Sequence, residues 1–224
     1  MSRPTQRLSE IAEGQWGMVT RRQAQEAGVG NTSMSRLAGD GRLERVAHGV
    51  YRIRGAGEPD HLGLRAAWLQ LAPERPAWAR LDDLDDAVVS HASAASLHRV
   101  GDLRADVHEF TLPSRRQTRR RDVRLHRGKV PAADRIVLSG LPVTRAARMI
   151  ADLLADHVEP GVVGRIAAEV LGGGLEGAAD VAKGLAPHAG RFGLPRGDGQ
   201  AALDHLLALA GSPGPVVDAP AAVR

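Results

Sequence analysis

Apolar residues fall at helical spacing through the first forty or so residues of the chain, and the spacing changes abruptly near residue 43. Leu8, Ile11 and Ala12 share one face of a helix predicted over residues 5–14. Thr20 stands three residues before Gln23, the spacing of a capping box, so a second helix is predicted to start there. Ala24 and Ala27 point inward from it and Gly28 stops it. After the short turn at Val29-Gly30, Asn31 or Thr32 can cap a third helix through a side-chain oxygen. Met34, Leu37 and Ala38 give that helix a buried face, and Gly39 and Gly41 end it. Two short apolar runs, Leu43 with Val46 and Val50-Tyr51 with Ile53, then flank Ala47-His48-Gly49, the signal of a β-hairpin. Helix, glycine turn, helix and hairpin in this order predict a winged helix-turn-helix over residues 1–54.

Beyond Gly55-Ala56-Gly57-Glu58-Pro59, read as a linker spanning residues 55–61, the pattern is mixed. Helical spacing covers 61–72, and the acidic run at 80–86 reads as a solvated loop. Val88-Val89 reads as a short buried strand, and Ser90 as the cap of a helix across residues 91–100. Residues 107–112 and 123–126 alternate as half-buried strands, so the basic run 114–121 is placed in a loop between paired strands. Short strands follow at 136–138 and 141–143, then a helix capped by Thr144 with Ala146, Ala147, Ile150, Leu153 and Leu154 inward. Helices over 160–171, 175–188 and 198–210 complete a second domain spanning 62–210. The predicted class is α+β, a winged helix followed by a small β-sheet packed by helices. The segment 211–224, rich in Pro, Gly and small residues, is expected to be a disordered tail.

Charge sharpens this picture. The net charge is +4, but it is unevenly spread. Residues 1–54 and 99–129 are each strongly basic while the rest of the chain is acidic, a segregation that suits a polyanion binder. The candidate DNA contacts are Thr20, Arg21 and Arg22 at the start of the second helix, where its N-terminus also favours an anion, and Asn31, Thr32, Ser33, Ser35 and Arg36 on the third. Arg42, Arg45, His48 and Arg52 supply the wing. A second basic patch comprises Arg115, Arg116, Arg119, Arg120, Arg121, Arg124 and Arg127, suited to phosphate contacts because no aromatic is interleaved for base stacking. Nearly all the basic residues are Arg, a bias that also follows from a GC-rich genome, so their positions are more informative than their number.

The chain lacks Cys, which excludes disulfides, thiolate metal sites and cysteine nucleophiles. Gly172-Gly173-Gly174 is not followed by the Lys-Ser/Thr of a phosphate loop, and neither a nucleophile elbow nor a zinc-protease motif occurs. His91 and His98 lie seven apart and face similarly, but nothing nearby completes a metal set, and the acids at 80–86 lack the spacing of a calcium loop. No enzyme activity, metal or cofactor is therefore expected. No run reaches the length of a membrane span and the N-terminus carries no signal-peptide core, so a cytoplasmic protein is expected.

Several stretches taken together resemble the AbiEi family of type IV antitoxins. They are Gly17-Met18-Val19-Thr20, Gly41-Arg42-Leu43 with Leu37, Gly49-Val50-Tyr51, the run Ser90 to Ala95, and Phe110-Thr111-Leu112-Pro113. Gly140 to Thr144 and Arg148 to Leu153 complete the set, which spans about residues 5–157. The resemblance implies a winged helix that binds inverted repeats in its own promoter, as a monomer or dimer on double-stranded DNA, and represses its operon. It also implies neutralisation of a nucleotidyltransferase-type toxin, without a stable complex between the two. The family's DNA contacts would fall on Thr32, Ser33, Ser35, Arg36, Arg45 and Arg52. The Ala/Leu-rich last third lacks acidic nuclease motifs, so the nuclease-like ending of some similar proteins is not carried over. The alternative is an interaction protein whose basic second domain binds a toxin, a tRNA or another polyanion, or an orphan winged-helix regulator.

Overall fold

The computed structural model describes residues 3–211, and the tail expected at 211–224 lies outside them apart from Gly211. The chain runs α1 (Arg3–Glu13), β1 (Met18–Thr20), α2 (Arg21–Glu26), α3 (Asn31–Gly39), β2 (Leu43–Ala47), β3 (Val50–Ile53), α4 (Leu62–Leu71), β4 (Val88–Val89), α5 (His91–His98), β5 (His108–Leu112) and β6 (Val123–Arg127). It continues through β7 (Arg135–Leu138), β8 (Leu141–Thr144), α6 (Ala146–Ala155), α7 (Pro160–Gly172), α8 (Ala178–Leu185) and α9 (Gly199–Leu209). The class is α+β. Within the described residues the compact units are 3–89 with 106–143, and 90–105 with 144–211.

In the first unit, α1, β1, α2, α3, β2 and β3 form the winged helix. Its three strands lie in the order β1-β3-β2, both pairings antiparallel. Leu8, Val19, Ala24, Val29, Met34, Leu37, Leu43 and Tyr51 form its core, with Ile11, Ala38 and Ile53 packed on the edge. Each fully buried aliphatic side chain contributes about 1.5–3 kcal/mol, so Met34 and Leu37 fix which face α3 turns outward. The Thr20–Gln23 capping box forms in both directions, and Gly28 takes a left-handed φ of +79° just after α2, as the pattern predicts. The strand β1 was not apparent in the pattern. Neither Asn31 nor Thr32 caps α3: the cap is Gly30, without a side-chain bond, and Asn31 Oδ1 accepts from Gln25 Nε2 at 3.1 Å instead.

The same unit holds a five-stranded sheet in the order β6-β5-β4-β8-β7. Strands β5 and β6 are parallel, so the basic segment between them is a crossover and not the tip of a hairpin. Ser139 and Gly140, with φ of +50° and +81°, make the tight turn from β7 to β8. The acidic run is not simply solvated. Asp86 is buried against Arg80, which is itself fully buried, with Nε and Nη2 donating to its two oxygens at 2.8 and 2.7 Å. The guanidinium lies 3.6 Å from the Trp68 ring centroid and donates to Trp68 O. Arg75 bridges Asp83 and Asp86, whereas Asp82 and Asp85 remain exposed.

The second unit is helical. Thr144 does not cap α6: it ends β8, its buried hydroxyl makes no hydrogen bond, and Arg145 holds the cap position. Pro160 opens α7 as predicted, with Glu159 accepting from Gly161 N and Val162 N. Within α7, Gly164 lies against α9 so closely that an added Cβ would sit 2.0 Å from Leu206 O. Gly164→Ala should therefore lower stability by about 1–3 kcal/mol in a denaturant titration, outweighing alanine's helix advantage of about 1 kcal/mol.

Burial lowers the proton affinity of His98 and His188 here, and of His108 in the first unit, below the ordinary 6.5. In the unfolded chain these side chains take up protons once the pH falls through about 6.5, while the folded chain resists. Stability should therefore be greatest above that value and fall as the pH drops below it. Urea midpoints at pH 7.5 and 5.5 will check this, and His98→Gln should reduce the difference.

Candidate nucleic-acid interface

The outward face of α3 carries exposed Asn31, Thr32, Ser35 and Arg36, with Ser33 half-buried beside them. These are the donors and acceptors that a recognition helix needs, and the N-terminal residues of such a helix reach base edges. The wing adds exposed Arg42 and Arg45, with Arg45 Nη2 3.1 Å from His48 Nδ1 at the turn. Arg54, exposed at the end of β3, adds a cation that the sequence reading did not select.

Two of the predicted contacts are otherwise engaged. Thr20 is fully buried: its hydroxyl accepts from Gln23 N and donates to Pro73 O, so it positions α2 and does not face a ligand. Arg52 has little exposed side chain and is held by Glu44 at 2.7 Å and Glu58 at 3.4 Å. Hydrogen bonding to Arg52 holds the Glu44 carboxyl below its usual range. Thr20→Ala is thus expected to cost about 0.5–2 kcal/mol of stability through the lost cap, measured by urea unfolding, while DNA affinity of the folded protein stays unchanged.

Thr20 belongs to a buried polar seam that ties the winged helix to the loop after α4. Gln15 and Gln23 exchange side-chain hydrogen bonds at 2.6 and 3.2 Å, Gln23 Nε2 donates to Arg75 O, and Ala77 N donates to Gln15 Oε1. Above it, Arg65 lies 4.6 Å from the Trp16 ring centroid, and both side chains donate to Ser139 O, at 2.7 and 3.0 Å respectively. The predicted linker therefore does not leave the winged helix isolated.

The basic crossover between β5 and β6 divides its arginines. Arg116 donates to Leu71 O, and Arg120 is clamped by Asp122 and Gln70, which ties both to α4. Hydrogen bonding to Arg120 holds the Asp122 carboxyl at about 2. Arg115 and Arg127 line a hollow of about 440 Å³ beside β6, which Arg116 and Gln117 also border. Arg124 pairs with Glu109 at 3.5 Å, and Arg119 and Arg121 stand exposed.

The first two residues of α2, the wing turn, α4 and the crossover meet around a cavity of about 570 Å³. Arg21, Arg22, His48, Arg116 and Arg120 surround it, and Val50, Ala67, Leu71 and Val123 supply apolar surface. Two basic clusters that are far apart in sequence are thus brought to one place. Backbone bonds fix the near wall, with Arg21 N donating to Gly49 O at 2.7 Å and Gln70 Nε2 to His48 O at 2.6 Å. The signal for this convergence was charge segregation, but Gln70, Gln117 and Thr118, which also line the cavity, carried none.

His91 Nδ1 lies 2.9 Å from Ser90 Oγ, His98 Nε2 lies 2.8 Å from Thr144 O, and the described residues hold no group of three or more potential ligands. Among the described residues no helix is long and apolar enough to cross a membrane.

Comparison with known proteins places a family match on the winged helix. Residues 6–54 match the family model described as transcriptional regulator, AbiEi antitoxin. No curated protein matches the chain.

Proposed function

We propose that this chain, an AbiEi-family protein by its residues 6–54, is a DNA-binding autorepressor and the antitoxin of a type IV toxin–antitoxin system acting against a nucleotidyltransferase-type toxin. The observation that carries the reading is the coincidence of the family match with a winged helix whose α3 turns Asn31, Thr32, Ser35 and Arg36 outward. Arginines of α3 and the wing neutralise phosphates and release counterions, while the polar residues of α3 read the major groove. The partners are double-stranded DNA carrying inverted repeats and, functionally, the toxin.

A salt-titrated binding assay on the DNA upstream of the gene, against scrambled DNA, tests the repressor half. A preference of about a thousandfold or more at physiological salt is expected for a specific repressor. Equal, weak and salt-sensitive binding to both would sink it. Co-expression with a nucleotidyltransferase toxin encoded beside the gene tests the other half, with rescue of growth as the expected result.

A further inference from the structure

We propose that the cavity walled by α2, the wing turn, α4 and the β5–β6 crossover binds a small phosphorylated organic molecule of mononucleotide size, and that this ligand competes with DNA. Three observations point this way. The volume, about 570 Å³, lies in the range of small-molecule sites and far exceeds what a phosphate ion needs. Its basic lining residues are Arg21, Arg22, Arg116 and Arg120 with His48, and guanidinium groups match phosphate oxygens in bidentate geometry. Its remaining wall is apolar, through Val50, Ala67, Leu71 and Val123, with Gln70, Gln117 and Thr118 adding amide and hydroxyl groups. A duplex backbone passing the wing offers phosphates but no body to fill the apolar part. A nucleoside monophosphate offers both: the phosphate faces Arg21, Arg22 and Arg116 while the base lies on the apolar wall and meets the glutamines.

The walls are already in place. Arg116 is tied to Leu71 O, Arg120 to Asp122 and Gln70, and His48 O accepts from Gln70, so little ordering is needed on binding. Arg21, Arg22 and His48 also belong to the surface expected to meet DNA phosphates. A ligand that occupies them lowers DNA affinity, and by linkage DNA lowers ligand affinity equally. The competition rests on the proposed DNA-binding role, whereas occupancy of the cavity does not.

The test is isothermal titration of the full, DNA-free protein with adenosine 5′-monophosphate, uridine 5′-monophosphate and inorganic phosphate at physiological salt. One equivalent of at least one nucleotide should bind at micromolar concentration, with phosphate at least about tenfold weaker. Arg22→Gln, an exposed site whose replacement spares the fold, should weaken the nucleotide about tenfold or more. Arg116→Gln should do the same, with circular dichroism confirming that the crossover change leaves the fold intact. Nucleotide at about ten times its Kd should then raise the apparent Kd for upstream DNA about tenfold. Absence of binding at millimolar nucleotide, equal affinity for nucleotide and phosphate, or indifference to Arg22→Gln would each overturn the site. Undiminished DNA binding with nucleotide bound would overturn the competition. Should the protein bind no DNA at all, the repressor reading fails while the titration still reports on the cavity.

Discussion

Asp86→Ala should destabilise the protein by about 3–5 kcal/mol, the largest effect of any single substitution considered. Arg80 has no exposed surface, and two of its three guanidinium nitrogens donate to Asp86. Removing the carboxylate strands a cation that cannot shed its charge, and an uncompensated buried charge costs that much. Arg75, which also reaches Asp86, loses a partner at the same time. The double replacement Arg80→Met with Asp86→Leu should recover most of the loss, because a buried ion pair exchanged for apolar packing is often neutral. Urea titrations of the three proteins decide the matter. A loss below about 1 kcal/mol for Asp86→Ala would mean that water or Asp83 takes over the pairing.

Arg36→Ala should weaken binding to the upstream DNA by about 1–3 kcal/mol while leaving binding to scrambled DNA much less affected. Arg36 is exposed on α3, whose register is set by buried Met34 and Leu37, so the substitution removes an exposed side chain without disturbing the core. Equal loss on both duplexes would assign Arg36 to a phosphate and move base reading to Asn31, Thr32 and Ser35. The salt slope separates the cases, since a lost phosphate contact reduces it by about one. Set beside Thr20→Ala, which should alter stability and not affinity, the pair distinguishes a side chain proposed to face DNA from one that holds the helix.

How far the sequence could be read depended on whether a feature was local. The capping box at Thr20 and Gln23, the glycine stop at Gly28 and the two apolar runs around His48-Gly49 act within a few residues, and each is present in the winged helix. β1 escaped because three residues are too short to show a period. The asparagine and threonine expected to cap α3 lost to Gly30, and Thr144 lost the α6 cap to Arg145 because β8 extends through it. The acidic run looked solvated because Asp86 and its neighbours are alike in sequence, and only the tertiary position of Arg80 separates the buried carboxylate from the exposed ones. Among the site residues, exposure of the α3 side chains follows from helical periodicity. The pairing of Arg52 with Glu44 and Glu58, and the meeting of Arg21 and Arg22 with Arg116 and Arg120, depend on strand register and a long connection.

That connection has a consequence for how this protein can vary. Because β5 and β6 run in the same direction, the chain leaving Leu112 must travel back alongside the sheet before re-entering at Val123. A strand advances about 3.3 Å per residue, so the return demands roughly 14 Å of chain plus a reversal at each end. Residues 113–122 cover that distance with slack, and the slack is what lets Arg116 and Arg120 turn in to bond α4 while Arg119 and Arg121 reach only solvent. Deletions of one or two residues would consume the slack and pull the inward pair away, and longer ones would force the two strands out of register. Individual arginines can be exchanged while the loop keeps its length, so drift among relatives should change the charge of this segment more readily than its number of residues.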